Sequence, residues 1–256
     1  MQQHNPDDPM RAMSDAVRVN PVDSLMERAC EALQHTRYFE AESLCSRALA
    51  KARRADDFER MARICLPLQE ARRQIREQAC DVGIVRMVGD PVDVPDPLEP
   101  GCYLVRPPLI GLDARTLWEL GLRRGVPVVA MAREPLTRDG HWPIVAVSEI
   151  SVRTKVLPPE PIERVESSVS KDEFKGTVPI EWFVEAYEKL GDVGISTVDP
   201  SEPAAWRVDD LLEHVHALPF HERLMQALAD AARAAMREPV PETPRRRPQI
   251  FDPYSF

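Results

Sequence analysis

Apolar positions recur at two different periods along this chain, and the period changes twice. Between Pro21 and Gln78 they return every three to four residues, the signature of helices with one buried stripe. Leu25, Met26, Ala29, Cys30 and Leu33 form the first stripe, and Ala41, Leu44, Cys45, Ala48, Leu49 and Ala52 the second. Phe58, Met61, Ala62, Cys65, Leu68 and Ile75 form the third, in a segment that Pro67 is expected to kink or divide. Pro21 suits a first helical position, with Asp23 and Ser24 in the turn it opens. The short break at Gln34–Arg37 forces the first two helices to run antiparallel.

From Asp81 the pattern becomes that of strands. "DVGIVRMV" reads as a strand, "GDPVDVPDPLEPG" with its four prolines as a stiff loop, and "CYLVRP" as a second strand. Asp113 caps a helix through "DARTLWELGLRRG", with Leu117, Leu120 and Trp118 facing inward and Gly125 ending it. "VPVVAMA" is apolar throughout, as in a strand covered on both faces. After the Asp-Gly turn signal of "TRDG", Ser148, Ile150, Val152, Thr154 and Val156 alternate with Glu149, Ser151, Arg153 and Lys155. The order β-β-α-β-β predicts a small mixed sheet crossed by one helix. Helical periodicity then returns in "IEWFVEAYEKLG", "WRVDDLLEHVHALP" and "FHERLMQALADAARAAMRE", the last with Leu224, Leu228, Ala231, Ala232 and Ala235 on one face.

The expected fold class is therefore α+β. Residues 1–20 are expected to be a disordered tail and 21–80 a helical region containing an antiparallel hairpin. Residues 81–157 are the sheet domain, 158–178 a Pro-, Ser- and charge-rich linker, 179–238 a C-terminal helical region, and 239–256 a Pro-rich tail.

The run "YFEAESLCSRAL" (Tyr38 to Leu49) resembles the second helix of a tetratricopeptide repeat. It has an aromatic residue at the turn and small residues, Ala41 and Ala48, seven apart with a bulky one between. Leu25, Ala29 and Ala32 stand where the first helix of that repeat presents its leading and small residues. Leu25 replaces the usual leading aromatic, Thr36 stands near the usual turn glycine, and Arg53 falls where a closing proline is common. The resemblance covers residues 22–78, about one and a half repeats, fewer than the three such repeats need to bury a continuous core. It implies a helical hairpin that holds another protein, and the repeat count implies that these helices dock elsewhere, on the C-terminal helices or a second copy.

Composition changes this picture in three ways. Pro at 25 and Gly at 10 favour stiff connections over glycine-lined phosphate loops. The net charge of −9 is concentrated in residues 161–238, where 16 acidic side chains face 8 basic ones, so neither nucleic acid nor an anionic membrane is an expected partner. The arginines between Arg53 and Arg76 interleave with Asp56, Asp57, Glu59 and Glu70, the pattern of a self-paired, solvated face. Five cysteines make no CxxC pair, and the N-terminal run lacks an apolar core, so a reducing, cytoplasmic setting is expected.

Candidate chemistry is sparse. His214, His216 and His221 lie among Glu213 and Glu222 and are the weak metal candidates, yet their spacing matches no established ligand motif. Ser168 and Lys171 have the S-x-x-K spacing without the motifs that accompany it in acyl-transfer enzymes. Neither GxxxxGK[ST] nor GxGxxG occurs, and no cofactor is expected. The tail ends in Ile250, Phe251, Tyr254 and Phe256, held extended by prolines, and docks either on its own chain or on a partner. The sequence thus predicts a non-catalytic interaction or assembly protein, with Tyr38, Ala41, Phe251, Tyr254 and Phe256 as partner contacts. The partner is another protein or a second copy. The alternative is an enzyme or ligand-binding module in the sheet domain using Arg106, Asp113, Arg133, Arg138 and His141 near strand ends.

Overall fold

The three N-terminal apolar runs fold as α1 (Pro21–Gln34), α2 (Tyr38–Arg54) and α3 (Phe58–Cys80). These coordinates are a computed structural model that describes residues 20–160, 174, 176–239 and 241. The tail at 1–19, Ser168 and Lys171 of the linker, and Phe251, Tyr254 and Phe256 lie outside the described residues.

Asn20 caps α1 by accepting the Val22 N–H at 2.9 Å, and Asp57 caps α3 by accepting that of Arg60 at 3.0 Å. Helices α1 and α2 end in the same way. Thr36 and Asp56 take left-handed conformations, with φ of 57° and 50°. The following N–H groups, of Arg37 and Asp57, donate to Ala32 O at 2.8 Å and Ala52 O at 2.9 Å. Both are Schellman closures made without glycine, and each reverses the chain into the next helix. Ala32, Ala41 and Ala71 are fully buried together where the three helices meet, while Ala29 belongs to the main core.

The third run is one helix, not two. Pro67 removes a hydrogen bond to the Arg63 carbonyl, but Arg63 is on the exposed face. Phe58, Met61, Ala62, Cys65, Leu68 and Ile75 are all buried on the other.

The sheet has five strands in the order β1 (Val85–Val88), β2 (Gly101–Val105), β3 (Val128–Arg133), β4 (Trp142–Val147) and β5 (Ser151–Val156). The first two pairings are parallel and the last two antiparallel. The predicted four-strand order is corrected here. "WPIVAV" is a strand in its own right, and Ser148–Ile150, expected within the alternating strand, form the turn between β4 and β5. A proline in second position and near-continuous burial hide β4 from a search for alternation.

Helix α4 (Gly111–Arg124) bridges β2 and β3 and ends at Gly125, whose φ of 65° needs a residue without Cβ strain. It covers Tyr103, Val105, Val128 and Ala132 on one face of the sheet. On the other face Cys102, Leu104, Val129, Met131, Trp142 and Ile144 join the core of α3, α5 (Ile180–Ser196), α6 (Ala204–Ala217) and α7 (Glu222–Ala235). Helix α5 continues past Gly191, where the sequence pattern ended it. Helix α3 packs along α7, so the N-terminal helices dock on the C-terminal ones within the chain. One core therefore runs through the N-terminal helices, the sheet and the C-terminal helices. Among the described residues no helix is long and apolar enough to cross a membrane.

Strands β3 and β4 are registered only at Ala132–Val145 and Arg133–Ile144. On one side the pairing continues, with the Glu134 N–H donating to the Pro143 carbonyl at 2.8 Å; on the other it stops, and Ala130, Met131, Ala146 and Val147 border a crevice. Trp118 of α4 and Phe220 of the α6–α7 turn stand edge to face, with centroids 6.4 Å apart.

Candidate functional site

The last turns of α3 carry Arg76 and Cys80 four residues apart, hence on one face, and that face meets α5, the α6–α7 turn and β2. Arg76 donates from Nη1 to the Phe220 carbonyl at 3.2 Å and pairs with Glu188 Oε1 at 2.5 Å. The second Glu188 oxygen lies 3.1 Å from His221 Nε2, and Asp192 Oδ1 lies 3.4 Å from the same nitrogen. Asp192 is held in turn by Arg223 at 2.7 Å.

His221 is buried and serves as the N-cap of α7, its Nδ1 accepting the Leu224 N–H at 3.1 Å. An accepting Nδ1 places the ring proton on Nε2, which faces the two carboxylates. Its ring fits because Gly191 has no side chain: a Cβ there would come within 2.2 Å of it. Burial alone would raise the Glu188 carboxyl, but the His221 ring and the Arg76 charge outweigh it and hold the group below its ordinary value. Burial pushes up the phenol of Tyr187, whose oxygen accepts the Phe220 N–H at 3.2 Å.

Beside this network the Cys80 and Cys102 sulfurs are 3.7 Å apart. Cys102 is fully buried in β2, whereas Cys80, at the end of α3, is half-buried. The Cys102 thiol aimed at the Cys80 sulfur holds Cys80 below the ordinary thiol value against its burial, and the Arg76 charge adds to this. The same hydrogen bond, with burial, pushes Cys102 up. A half-buried cysteine held below the ordinary thiol value, next to a second thiol and a guanidinium, suits thiol chemistry.

The gap between β3 and β4 forms a crevice next to this network, lined by Trp118, Met131, Ala146, Tyr187 and Phe220. Arg115 closes one side, its guanidinium 4.3 Å from the centroid of the Trp118 ring. The space inside accommodates roughly one or two waters.

The predicted site residues are dispersed. His214 faces the Asp210 carbonyl at 2.7 Å and the Thr197 hydroxyl at 3.0 Å, with its ring against Gly194. His216 is exposed, and its carbonyl accepts from Arg115. With His221 committed to its cap, the three histidines do not converge, and among the described residues no three His, Cys, Asp or Glu side chains could hold a metal. Tyr38 is half-buried against the main core, and Ala41 is fully buried between helices.

Arg106 packs against Gly89, and Asp113 accepts the Ile110 N–H at 2.7 Å. Arg133 is buried over the Trp142 ring at 4.4 Å. Arg138 is exposed, and His141 lies 3.3 Å from Asp139. None of these five lines the crevice.

Apart from the four-residue spacing of Arg76 and Cys80 on α3, the network carries no sequence signal, because Glu188 and Cys102 come from other elements. A further hint was the pair Gly191 and Gly194, three apart on α5, which seat the rings of His221 and His214. No protein-family model, curated protein or solved structure matches this chain.

Proposed function

We propose that this is a non-catalytic assembly protein, with an N-terminal helical layer of the tetratricopeptide kind, and that it associates with a second copy of itself through the β1 edge of its sheet. The carrying observation is the character of that edge. Among the described residues β1 pairs only with β2, and its other side presents unused backbone donors and acceptors. Apolar side chains flank it in the open: Val82 and Ile84 before the strand, at 38% and 50% exposure, and Val92 after it, at 85%. Charge normally blunts a sheet edge; the charge on β1, Arg86, is engaged by Glu99 and the Tyr103 ring, and apolar residues at both ends of an edge favour pairing.

A twofold axis through the middle of β1 sets the two strands antiparallel. It also brings the Val82–Ile84 end of one copy to the Val92 end of the other, so that each apolar end covers its counterpart. Light scattering of the full chain across micromolar concentrations tests this. A concentration-dependent dimer is expected, and Ile84→Lys should make it monomeric while leaving the thermal midpoint of the monomer unchanged. A wild-type chain that stays monomeric throughout overturns the reading.

A further inference from the structure

We propose that Cys80 and Cys102 form a peroxide-reactive dithiol that closes into an intramolecular disulfide, tying the end of α3 to β2. This rests on the sulfur geometry and does not depend on association through β1. Of the five cysteines, only these two have sulfurs in contact, at 3.7 Å. A disulfide requires about 2.05 Å, so side-chain rotation has to bring the sulfurs closer by less than the length of one such bond. Cys45 and Cys65 are buried, with thiols pushed up to about 12 by desolvation, and the Cys65 S–H donates to the Met61 carbonyl at 3.2 Å. Cys30 is exposed.

The roles within the pair follow from position. Cys80, at the end of α3 and one turn from Arg76, is the more exposed residue of the two, and Cys102 is fully buried in the sheet. Cys80 thiolate attacks one oxygen of a hydroperoxide, the O–O bond breaks, and the second oxygen leaves with a proton as water or an alcohol. Cys80 is then a sulfenic acid. The Cys102 sulfur attacks it, the S–S bond forms, the S–O bond breaks, and the hydroxyl departs with the Cys102 proton as water. Two thiols lose two electrons and the hydroperoxide gains two.

Hydrogen peroxide added to the reduced full chain, followed by intact-mass measurement and non-reducing peptide mapping, tests the assignment. The expected result is loss of two hydrogens and a single cross-linked peptide pair containing Cys80 and Cys102, reversed by a thiol reductant. In Cys102→Ala, where closure is impossible, a dimedone adduct should accumulate on Cys80. The wild-type map is decisive even if that variant folds poorly. Full alkylation of Cys80 and Cys102 after an exposure that oxidises Cys30, or a cross-link between any other pair, overturns the proposal.

Discussion

The Nδ1 of His221 accepts the α7 cap, while its Nε2 lies within ion-pair distance of Glu188 and Asp192 without the alignment of a hydrogen bond. A histidine so committed is a structural fastener, and its partner Glu188 is where pH enters. The folded chain holds the Glu188 carboxyl below its ordinary value of 4.5, so the unfolded chain takes up this proton first as pH falls. The stability contributed by ionised Glu188 is thus complete above about pH 4.5 and is lost as pH falls through the folded value. Glu188→Gln should cost about 1–3 kcal/mol at pH 7, by weakening acceptors for Arg76 and His221. It should also narrow the difference between urea unfolding at pH 7 and at pH 4; an unchanged difference would show that Glu188 is not a source of the acid sensitivity. None of this could be read from the sequence around "EHVHALPFHE". That stretch advertises histidine, while the groups that define His221 come from α3 and α5.

At the scale of elements α3 was legible because every predicted stripe position in it is buried, whereas Cys30 of the predicted α1 stripe is exposed. What the pattern concealed is the second kind of contact the N-terminal helices make. Arg72, counted among a solvated arginine face, is only 6% exposed and donates to Glu42 Oε1 from Nε at 3.2 Å and Nη2 at 2.9 Å. Ser46 adds a third hydrogen bond to the same oxygen at 2.9 Å. Its neighbours behave as the interleaved charges suggested, with Arg60 paired to Asp57 and Asp23, and Arg73 to Glu70 and Glu77. Periodicity places a residue on a face, but burial depends on which helix later covers that face.

Glu42→Gln leaves the Arg72 charge buried without its counterion and should cost about 3–5 kcal/mol. The double change Glu42→Leu with Arg72→Met should recover most of that loss. Urea unfolding of both variants measures the difference, and a double variant no better than the single one would deny the pair this role. The strands were less legible than the helices for a related reason. Strand β4 is buried along nearly its whole length, so it shows no alternation, and a proline occupies its second position.

Over the whole molecule, the N-terminal helices, the sheet and the C-terminal helices share one core. The three-segment reading of composition and periodicity located the pieces but could not show that α3 lies along α7 and against β2 and β3. Surface contacts reinforce that docking: Arg53 Nε reaches Asp209 at 2.6 Å, and Gln69 reaches Glu222 at 3.0 Å. Residues 21–80 expressed alone would expose the α3 face that α7 covers, and should show no cooperative thermal transition by circular dichroism as a monomer. A sharp monomeric transition would mean that the three helices suffice by themselves. A mixed sheet ordinarily insulates what lies above it from what lies below. Here the Trp118 indole of α4 meets the Phe220 ring edge to face, and the Phe220 carbonyl accepts from Arg76, so α4 abuts the joint between the first and last thirds of the chain.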